Sequence, residues 1–397
     1  MHRLPMTDRQ GHTPGRRIQD IELLRALAVV SVVVHHAHGN LFHWPTPLFD
    51  AFFRRFELWW GVDLFFAISG FVIARDLIPR LQGCNGVAEF WRNSVQFWVR
   101  RAFRLLPSAW LWLLLMLVAC RFLNESGAFG TLSANLAATL AGILQYANFR
   151  FADSFFRYEY GVSFVYWSLS LEEQFYLLLP LLIFVSRRFL PWILVGVIAA
   201  QFFVWRTPLL MVLRTDALAW GVLLALASHK AFYVRLEPTW LLRWRPLGLI
   251  LAALLVLGLT RVSTEQHLWS VWRIGVIALF SAALVWLASY DRGYLALPTP
   301  LQRLGLWLGS RSYGIYLIHI PAFFLTREIA FRLYGDSALD GTHTLLFLVL
   351  AICTIVLCSE ANYRYVELPL RARGTAIARR FSTEAPPTAG DIRNEAA

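Results

Sequence analysis

Long apolar stretches dominate this chain, and they limit the folds that it can adopt. Inside a lipid bilayer no water pairs with backbone polar groups, so only α-helices and closed β-barrels can cross it. Of the 397 residues 57% are hydrophobic and only 16% are charged, whereas soluble domains carry about 25% charged residues. We therefore predict an all-α fold, a polytopic transmembrane helical bundle. The candidate spans are residues 21–38, 58–78, 107–123, 131–149, 164–186, 189–205, 208–228, 246–260, 270–288, 305–326 and 344–361.

The distribution of arginines predicts the number and direction of the spans. Short cytoplasmic loops are rich in Arg and Lys. Basic residues cluster in the N-terminal tail, in residues 75–106, after the fifth, seventh and ninth candidates, and in the C-terminal tail. All six clusters fall on one side only if 131–149 does not cross. We then expect about ten spans, cytoplasmic N- and C-termini, and an external segment 124–163 that is partly interfacial or re-entrant. Arg54 and Arg55 are the exception to this charge pattern, because they lie in the first predicted external loop.

The tails and the overall charge complete the predicted domain organisation. We expect a cytoplasmic N-terminal tail at 1–20, a membrane domain at 21–371 and a cytoplasmic, largely disordered C-terminal tail at 372–397. No cleavage site follows the first apolar stretch, so we expect it to remain as an anchor. The net charge of +12 suits anionic membrane lipid and does not require a nucleic-acid partner. The four cysteines lack metal-type spacing, and no metal site is predicted.

The first candidate span carries ionisable side chains that an anchor does not need. Arg25 and His36 are eleven residues apart, which places them on one helix face about 16 Å apart along the axis. Glu22 lies three residues before Arg25 and can pair with it. The non-functional alternative is that the arginine side chain extends to the membrane interface and that the histidine only lies near a helix end. Ionisable groups within membrane segments are usually functional, so we favour a functional set.

Glu172 is the second candidate catalytic side chain. It lies about two turns into the fifth candidate span, at a predicted depth close to that of His36. A carboxylate beside a histidine can orient its tautomer and stabilise its protonated form, as general-base catalysis requires. The alternative is a structural buried pair. His319 falls at a similar depth, where core packing and function are equally good explanations.

Two arginines precede the third span, and several other polar groups lie along the predicted path across the membrane. Arg101 and Arg104 are one helical turn apart and suit a phosphate clamp, although a positive cytoplasmic flank explains them equally well. Arg214 is predicted to pair with the nearby Asp216, and Ser69 with Gly70 can permit close helix approach. The candidate path residues are Asp63, Ser69, Tyr176, Arg214 and His319.

Six stretches of the sequence resemble the acyltransferase-3 family of integral membrane acyltransferases. They are "IELLRALAVVSVVVHH", "GVDLFFAISGF", "RRAFRLLP", "WSLSLEEQFY", "SYGIYLIHIP" and "YRYVELP", and they occur in that order between about residues 20 and 371. The family includes bacterial acetylases of O-antigen, exopolysaccharide and Nod factor, and the membrane part of peptidoglycan acetylases. The resemblance implies a protein of the bacterial inner membrane.

The resemblance also implies the reaction and the role of each residue. The donor is acetyl-CoA or another acyl-CoA on the cytoplasmic side, and the acceptor is a hydroxyl of an extracytoplasmic or lipid-linked glycan. By position, His36 is the essential histidine and Arg25 its arginine partner. Arg101 and Arg104 match the paired arginines suspected of donor binding, and Glu172 matches the glutamate of the fifth stretch.

Two other functional classes fit the sequence less well. A transporter or flippase for an anionic or lipid-linked sugar also uses intramembrane Arg, His and Glu, but no internal repeat is visible. A non-catalytic scaffold does not need His36 and Glu172 together. The sequence specifies neither the position acylated on the acceptor nor the oligomeric state.

Overall fold

All regular secondary structure in the described part of the chain is helical. The computed structural model describes residues 18–244, 246–264, 271–335 and 341–383, and these contain no β-strand, which confirms the all-α prediction. The longer helices are α1 Gln19–Asn40, α3 Gly61–Gln82, α4 Val87–Phe122, α7 Tyr166–Ser186, α8 Leu190–Phe203, α10 Asp216–Ser228, α12 Pro246–Val262, α13 Arg273–Ser289, α14 Thr299–Tyr334, α15 Thr344–Asn362 and α16 Leu368–Thr383. The shorter ones are α2 Pro47–Phe53, α5 Leu132–Ile143, α6 Ala147–Ser154, α9 Pro208–Val212 and α11 Ala231–Arg235.

Several helical stretches can cross a membrane. Within the described ranges, six are long and apolar enough: Gln19–Asn40, Val87–Phe122, Tyr166–Phe203, Pro208–Ser228, Thr299–Tyr334 and Thr344–Phe381. Helix α3 has 22 residues, about 33 Å at 1.5 Å per residue, but it carries Asp63, Arg75 and Asp76. The chain is therefore an integral membrane protein. The count of ten crossings and the cytoplasmic position of both termini stay predictions.

The segment predicted not to cross forms two short helices. Helix α5 has 12 residues, about 18 Å, which is well short of the roughly 30 Å of a hydrocarbon core. Gln145 has a φ of 58° and separates α5 from α6. The buried side chain of Asn135 donates to the carbonyl of Phe129 (2.6 Å) and accepts from the amide of Val162 (2.9 Å). These bonds fold residues 129–162 back on themselves.

Some predicted boundaries were wrong. The third span was predicted to begin at residue 107, but α4 begins at Val87 because no Gly or Pro interrupts the chain before Pro107. The predicted span 208–228 has the bounds of the candidate span Pro208–Ser228, although a short break divides it into α9 and α10. Part of the predicted C-terminal tail is helical, since α16 continues to Thr383. Residues 1–17 and 384–397 of the two predicted tails lie outside the described ranges, and α1 begins within the predicted N-terminal tail at Gln19.

Two close helix contacts fix the centre of the bundle. A Cβ atom at Gly309 of α14 would lie 2.0 Å from the carbonyl oxygen of Glu22 in α1. A Cβ atom at Gly70 of α3 would lie 2.2 Å from the carbonyl oxygen of Leu218 in α10, which confirms the predicted close approach. Gly309 meets the start of α1, and a residue further along α14, His319, meets its end. Helices α1 and α14 therefore run in the same direction.

Candidate active site

A pair of histidines joins α1 to α14. Nδ1 of His36 lies 2.9 Å from Nε2 of His319. The ring planes are 22° apart and the ring centroids 5.1 Å apart, so the rings meet edge to edge, as a hydrogen bond between ring nitrogens requires. His319 is fully buried, whereas His36 is partly exposed. The hydrogen-bond partner of His36 is therefore His319, not the predicted Glu172.

The backbone of α14 fixes the tautomers of this pair. The carbonyl oxygen of Tyr316 lies 2.7 Å from Nδ1 of His319, and a carbonyl can only accept a hydrogen bond. In the neutral ring of His319 the proton is therefore on Nδ1, and Nε2 accepts from Nδ1–H of His36. The lone pair of neutral His36 is then on its own Nε2. This nitrogen is the basic and nucleophilic atom of the pair.

Glu172 takes part in a different buried hydrogen-bond chain. The hydroxyl of Tyr176 donates to the carboxylate of Glu172, and the hydroxyl of Ser69 bonds to that of Tyr176. Because the Tyr176 proton is committed to the carboxylate, Ser69 must be the donor to Tyr176. These three predicted residues from α3 and α7 do form one cluster. The catalytic role of Glu172 stays a prediction.

The face of α7 that carries the hydrogen bonds of Glu172 and Tyr176 extends towards the histidines. Ser168, Glu172 and Tyr176 are spaced by four residues and share one helix face, which spans about 12 Å. The hydroxyl oxygens of Ser168 and Tyr316 are 2.6 Å apart, and Tyr316 also supplies the carbonyl that binds His319. Tyr316 thus connects the histidine pair to Ser168, and Glu172 and Tyr176 follow on the same face of α7; we call these polar groups the polar column.

The opposite end of α1 carries a group of arginines from three helices. Nη1 of Arg25 lies 2.8 Å from Oε1 of Glu22, which confirms that predicted pair. The partly buried Arg104 of α4 lies within electrostatic range of Arg25, of Arg101 and of Arg371 in α16. Arg104 forms no hydrogen bond or ion pair with any other described residue. Such converging positive charge favours an anionic ligand.

Arg101 links the arginines to the polar column. Its guanidinium lies 5.5 Å from the ring centroid of Tyr176 and 5.8 Å from that of Phe97. The exposed face of α16 begins beside these arginines and carries Leu368, Arg371, Thr375 and Arg379.

Asp63 and Arg214 form a buried ion pair, and the predicted partner of Arg214 was wrong. Nε and Nη2 of Arg214 bind the carboxylate of Asp63 at 2.9 and 3.1 Å. Asp216 binds Arg206 instead, at 2.9 Å. Arg214 lies in the short connection before α10 and reaches α3, while Asp216, the first residue of α10, faces the segment after α8.

Sequence reasoning missed three residues of this arrangement. Tyr316 lies three residues before His319, and this spacing on one helix face was a usable signal. Ser168 lies four residues before Glu172 and was detectable in the same way. Arg371 gave no local signal, since its position beside Arg104 depends on the packing of α16 on α4. Among the described residues no three His, Cys, Asp or Glu side chains form a group that could hold a metal ion.

Comparison with known proteins identifies the family. The family described as "Acyltransferase domain" matches residues 18–360. Peptidoglycan O-acetyltransferase OatA of Listeria monocytogenes is 26% identical over 390 residues, and putative peptidoglycan O-acetyltransferase YrhL of Bacillus subtilis is 26% identical over 388. O-acetyltransferase OatA of Staphylococcus aureus is 24% identical over 390 residues. Each alignment covers 90% of this chain but only 56% to 58% of the relative, so the chain spans little more than half of their length. No solved structure matches. Because the family match covers most of the chain, this protein belongs to the acyltransferase-3 family of membrane acyltransferases.

Proposed function

We propose that this protein is a membrane O-acyltransferase that transfers an acyl group, acetyl in the simplest case, from cytoplasmic acyl-CoA to a glycan hydroxyl. The observation that carries the proposal is the placement of two unlike sites on one helix. A histidine pair with a defined basic nitrogen lies near the end of α1, and an arginine group lies near its start. The two are about 16 Å apart along the helix axis.

The arginine group has the properties of a donor site. Acyl-CoA carries several phosphate charges, and guanidinium groups bind phosphate oxygens through paired hydrogen bonds. Neither Arg104 nor Arg101 forms an ion pair with a described residue, although Glu367 lies within electrostatic range of Arg104 and Glu173 within that of Arg101. The exposed face of α16 adds Arg371 and Arg379 for the nucleotide end of the donor.

The histidine pair has the properties of a catalytic base or nucleophile. An acceptor hydroxyl is a weak nucleophile until a base removes its proton. In one route Nε2 of His36 takes that proton while the hydroxyl oxygen attacks the thioester carbonyl and the CoA thiolate leaves. In the other route Nε2 attacks the thioester first, the C–S bond breaks, and the hydroxyl then takes the acyl group from His36. Both routes use the same nitrogen and both keep His319 as the acceptor for Nδ1–H.

A glycan acceptor is supported by the relatives, two of which are named for peptidoglycan. We propose an extracytoplasmic or lipid-linked glycan as the acceptor and the bacterial inner membrane as the location. The polar column then lies between donor and acceptor, with Glu172 supporting proton movement between them.

Reconstitution in vesicles with labelled acetyl-CoA tests the proposal. We expect His36→Ala to abolish transfer to a glycan acceptor while acyl-CoA binding stays close to that of the wild type. His38→Ala is the matched control, since His38 lies on the same helix but is exposed and pairs with Asp50. Near-wild-type transfer by His36→Ala would contradict both routes. Movement of glycan across the vesicle membrane without consumption of acyl-CoA would favour the transport alternative.

A further inference from the structure

Three aromatic side chains form a surface beside the reactive histidine. The ring of Phe164 meets the ring of His36 edge to face, with the centroids 5.4 Å apart. Phe151 lies nearly parallel to Phe164 at 6.5 Å and nearly parallel to Trp167 at 6.1 Å. All three rings are partly exposed. We call Phe151, Phe164 and Trp167 the aromatic wall.

The aromatic wall has polar groups that remain available at its edges. The indole N–H of Trp167 makes no hydrogen bond with any other described residue. The buried hydroxyl of Ser163, next to Phe164 in the chain, also lacks a partner within the described ranges. Buried polar groups in folded proteins are nearly always paired. An unpaired hydroxyl at this position therefore suggests a ligand or water that is bound when the site is in use.

The guanidinium in contact with the wall is already neutralised, whereas that of Arg150, next to Phe151 in the chain, donates to the backbone carbonyls of Tyr160 and Ala134. The guanidinium of Arg214 lies 4.9 Å from the ring centroid of Trp167, but it is bound to the carboxylate of Asp63 through two hydrogen bonds. The wall therefore offers ring faces and hydrogen-bonding groups without a strong net charge. A pyranose ring matches this surface, because its C–H face packs on aromatic rings while its hydroxyl groups form hydrogen bonds at the edge. An acyl chain has no such edge.

We propose that the aromatic wall is the acceptor subsite, where one pyranose ring of the glycan lies with a hydroxyl directed at Nε2 of His36. This proposal rests on the proposed function and adds the residues that hold the acceptor. Phe164 is the contact that joins the subsite to the reactive nitrogen. Trp167 supplies the N–H donor and a partly exposed ring, one face of which is covered by the guanidinium of Arg214.

Kinetics with the full chain in detergent or vesicles test the subsite. Removing a central aromatic anchor costs more than about 1 kcal/mol, so we expect Trp167→Ala to raise the acceptor KM about fivefold or more. Trp167→Phe keeps a ring face and should recover part of this loss. Phe149→Leu is the control, because Phe149 lies on α6 two residues before Phe151 but is exposed and outside the wall.

The donor half-reaction separates this proposal from the proposed function. It is measured without glycan, as hydrolysis of acetyl-CoA or as labelling of the protein by its acyl group. The subsite is supported if Trp167→Ala and Phe164→Leu keep the donor half-reaction and lose affinity for the glycan. It is overturned if both variants keep the wild-type acceptor KM. It is also overturned if both variants lose the donor half-reaction, transfer to glycan and thermal stability together, because that is the result expected for residues that only pack the core. A wild-type protein that neither binds acetyl-CoA nor transfers its acyl group to glycan would instead contradict the proposed function, because only the acyl-His36 route requires a donor half-reaction without glycan. If Trp167→Ala does not fold, Trp167→Phe and Phe164→Leu carry the test.

Discussion

Replacing His319 separates positioning of His36 from simple packing. His319→Leu keeps an apolar side chain of similar size at a fully buried position but removes the nitrogen that accepts from Nδ1–H of His36. His319→Gln places an amide oxygen close to the position of Nε2, so an acceptor is retained. The two variants therefore differ in one hydrogen bond, while both change the shape of the side chain modestly.

The size of the effect follows from how this bond changes during the reaction. When Nε2 of His36 takes a proton or an acyl group, the ring becomes cationic and its Nδ1–H becomes a stronger donor. A hydrogen bond to a charged group contributes about 1.5–3 kcal/mol, against about 0.5–1.5 kcal/mol for a neutral one. The difference, about 1–1.5 kcal/mol, corresponds to roughly 5- to 13-fold in rate. Without an acceptor at Nδ1–H the ring of His36 can also adopt the other tautomer, which lowers the rate further. The largest total loss is the whole contribution of a general base, roughly 10²–10⁴-fold.

We therefore expect a ranked series of kcat values at saturating donor and acceptor. His319→Gln should lose less than about fivefold, since the charged ring keeps an acceptor. His319→Leu should lose about 10- to 100-fold, and His36→Ala more than about 100-fold. The donor KM should change little in all three, because the arginine group lies at the other end of α1. Equal losses in the Gln and Leu variants, with the same thermal stability, would refute the role assigned to the acceptor nitrogen.

Three other predictions concern the donor site, the buried ion pair and the topology. Replacing both Arg101 and Arg104 by Ala should raise the donor KM by well over tenfold, because charge-assisted contacts contribute about 1.5–3 kcal/mol each; an unchanged KM would leave them as topology signals. Asp63→Ala leaves a buried guanidinium unpaired and should lower the free energy of unfolding by about 3–5 kcal/mol, seen as a lower Tm; an unchanged Tm would contradict a buried pair. With the native cysteines removed, Ser133→Cys should be labelled from outside intact cells and Ser382→Cys only after permeabilisation.

Local features of the sequence predicted the parts of the site that depend on one helix. The pair of Glu22 with Arg25 follows from a spacing of three residues, and the close approach at Gly70 follows from small side chains. Apolar stretches likewise predicted the helical fold. Each of these depends on neighbours within one or two turns, which a single sequence displays directly.

Contacts between distant helices were beyond such reasoning. His36 and His319 are 283 residues apart in the chain, so no spacing rule connects them, and Glu172 was an equally suitable partner on chemical grounds. Arg214 was assigned to a carboxylate two residues away, whereas packing of α10 against α3 brings it to Asp63. The partners of buried charges are set by helix packing, and this is why the candidate residues were found more readily than their pairing.

The direction of α1 links the topology to the chemistry. Acyl-CoA is a cytoplasmic metabolite in the proposed reaction, so the arginine end of α1 must open to the cytoplasm and the histidine end must face the glycan. Helix α14 runs parallel to α1, so their starts lie on the same side, and α16 places Arg371 beside Arg104 at that same end. Position 382, near the end of α16, therefore reports on the donor side. Labelling of Ser382→Cys from outside intact cells would leave the histidine geometry unchanged, but it would argue that the arginine group is away from acyl-CoA and would contradict the proposed donor.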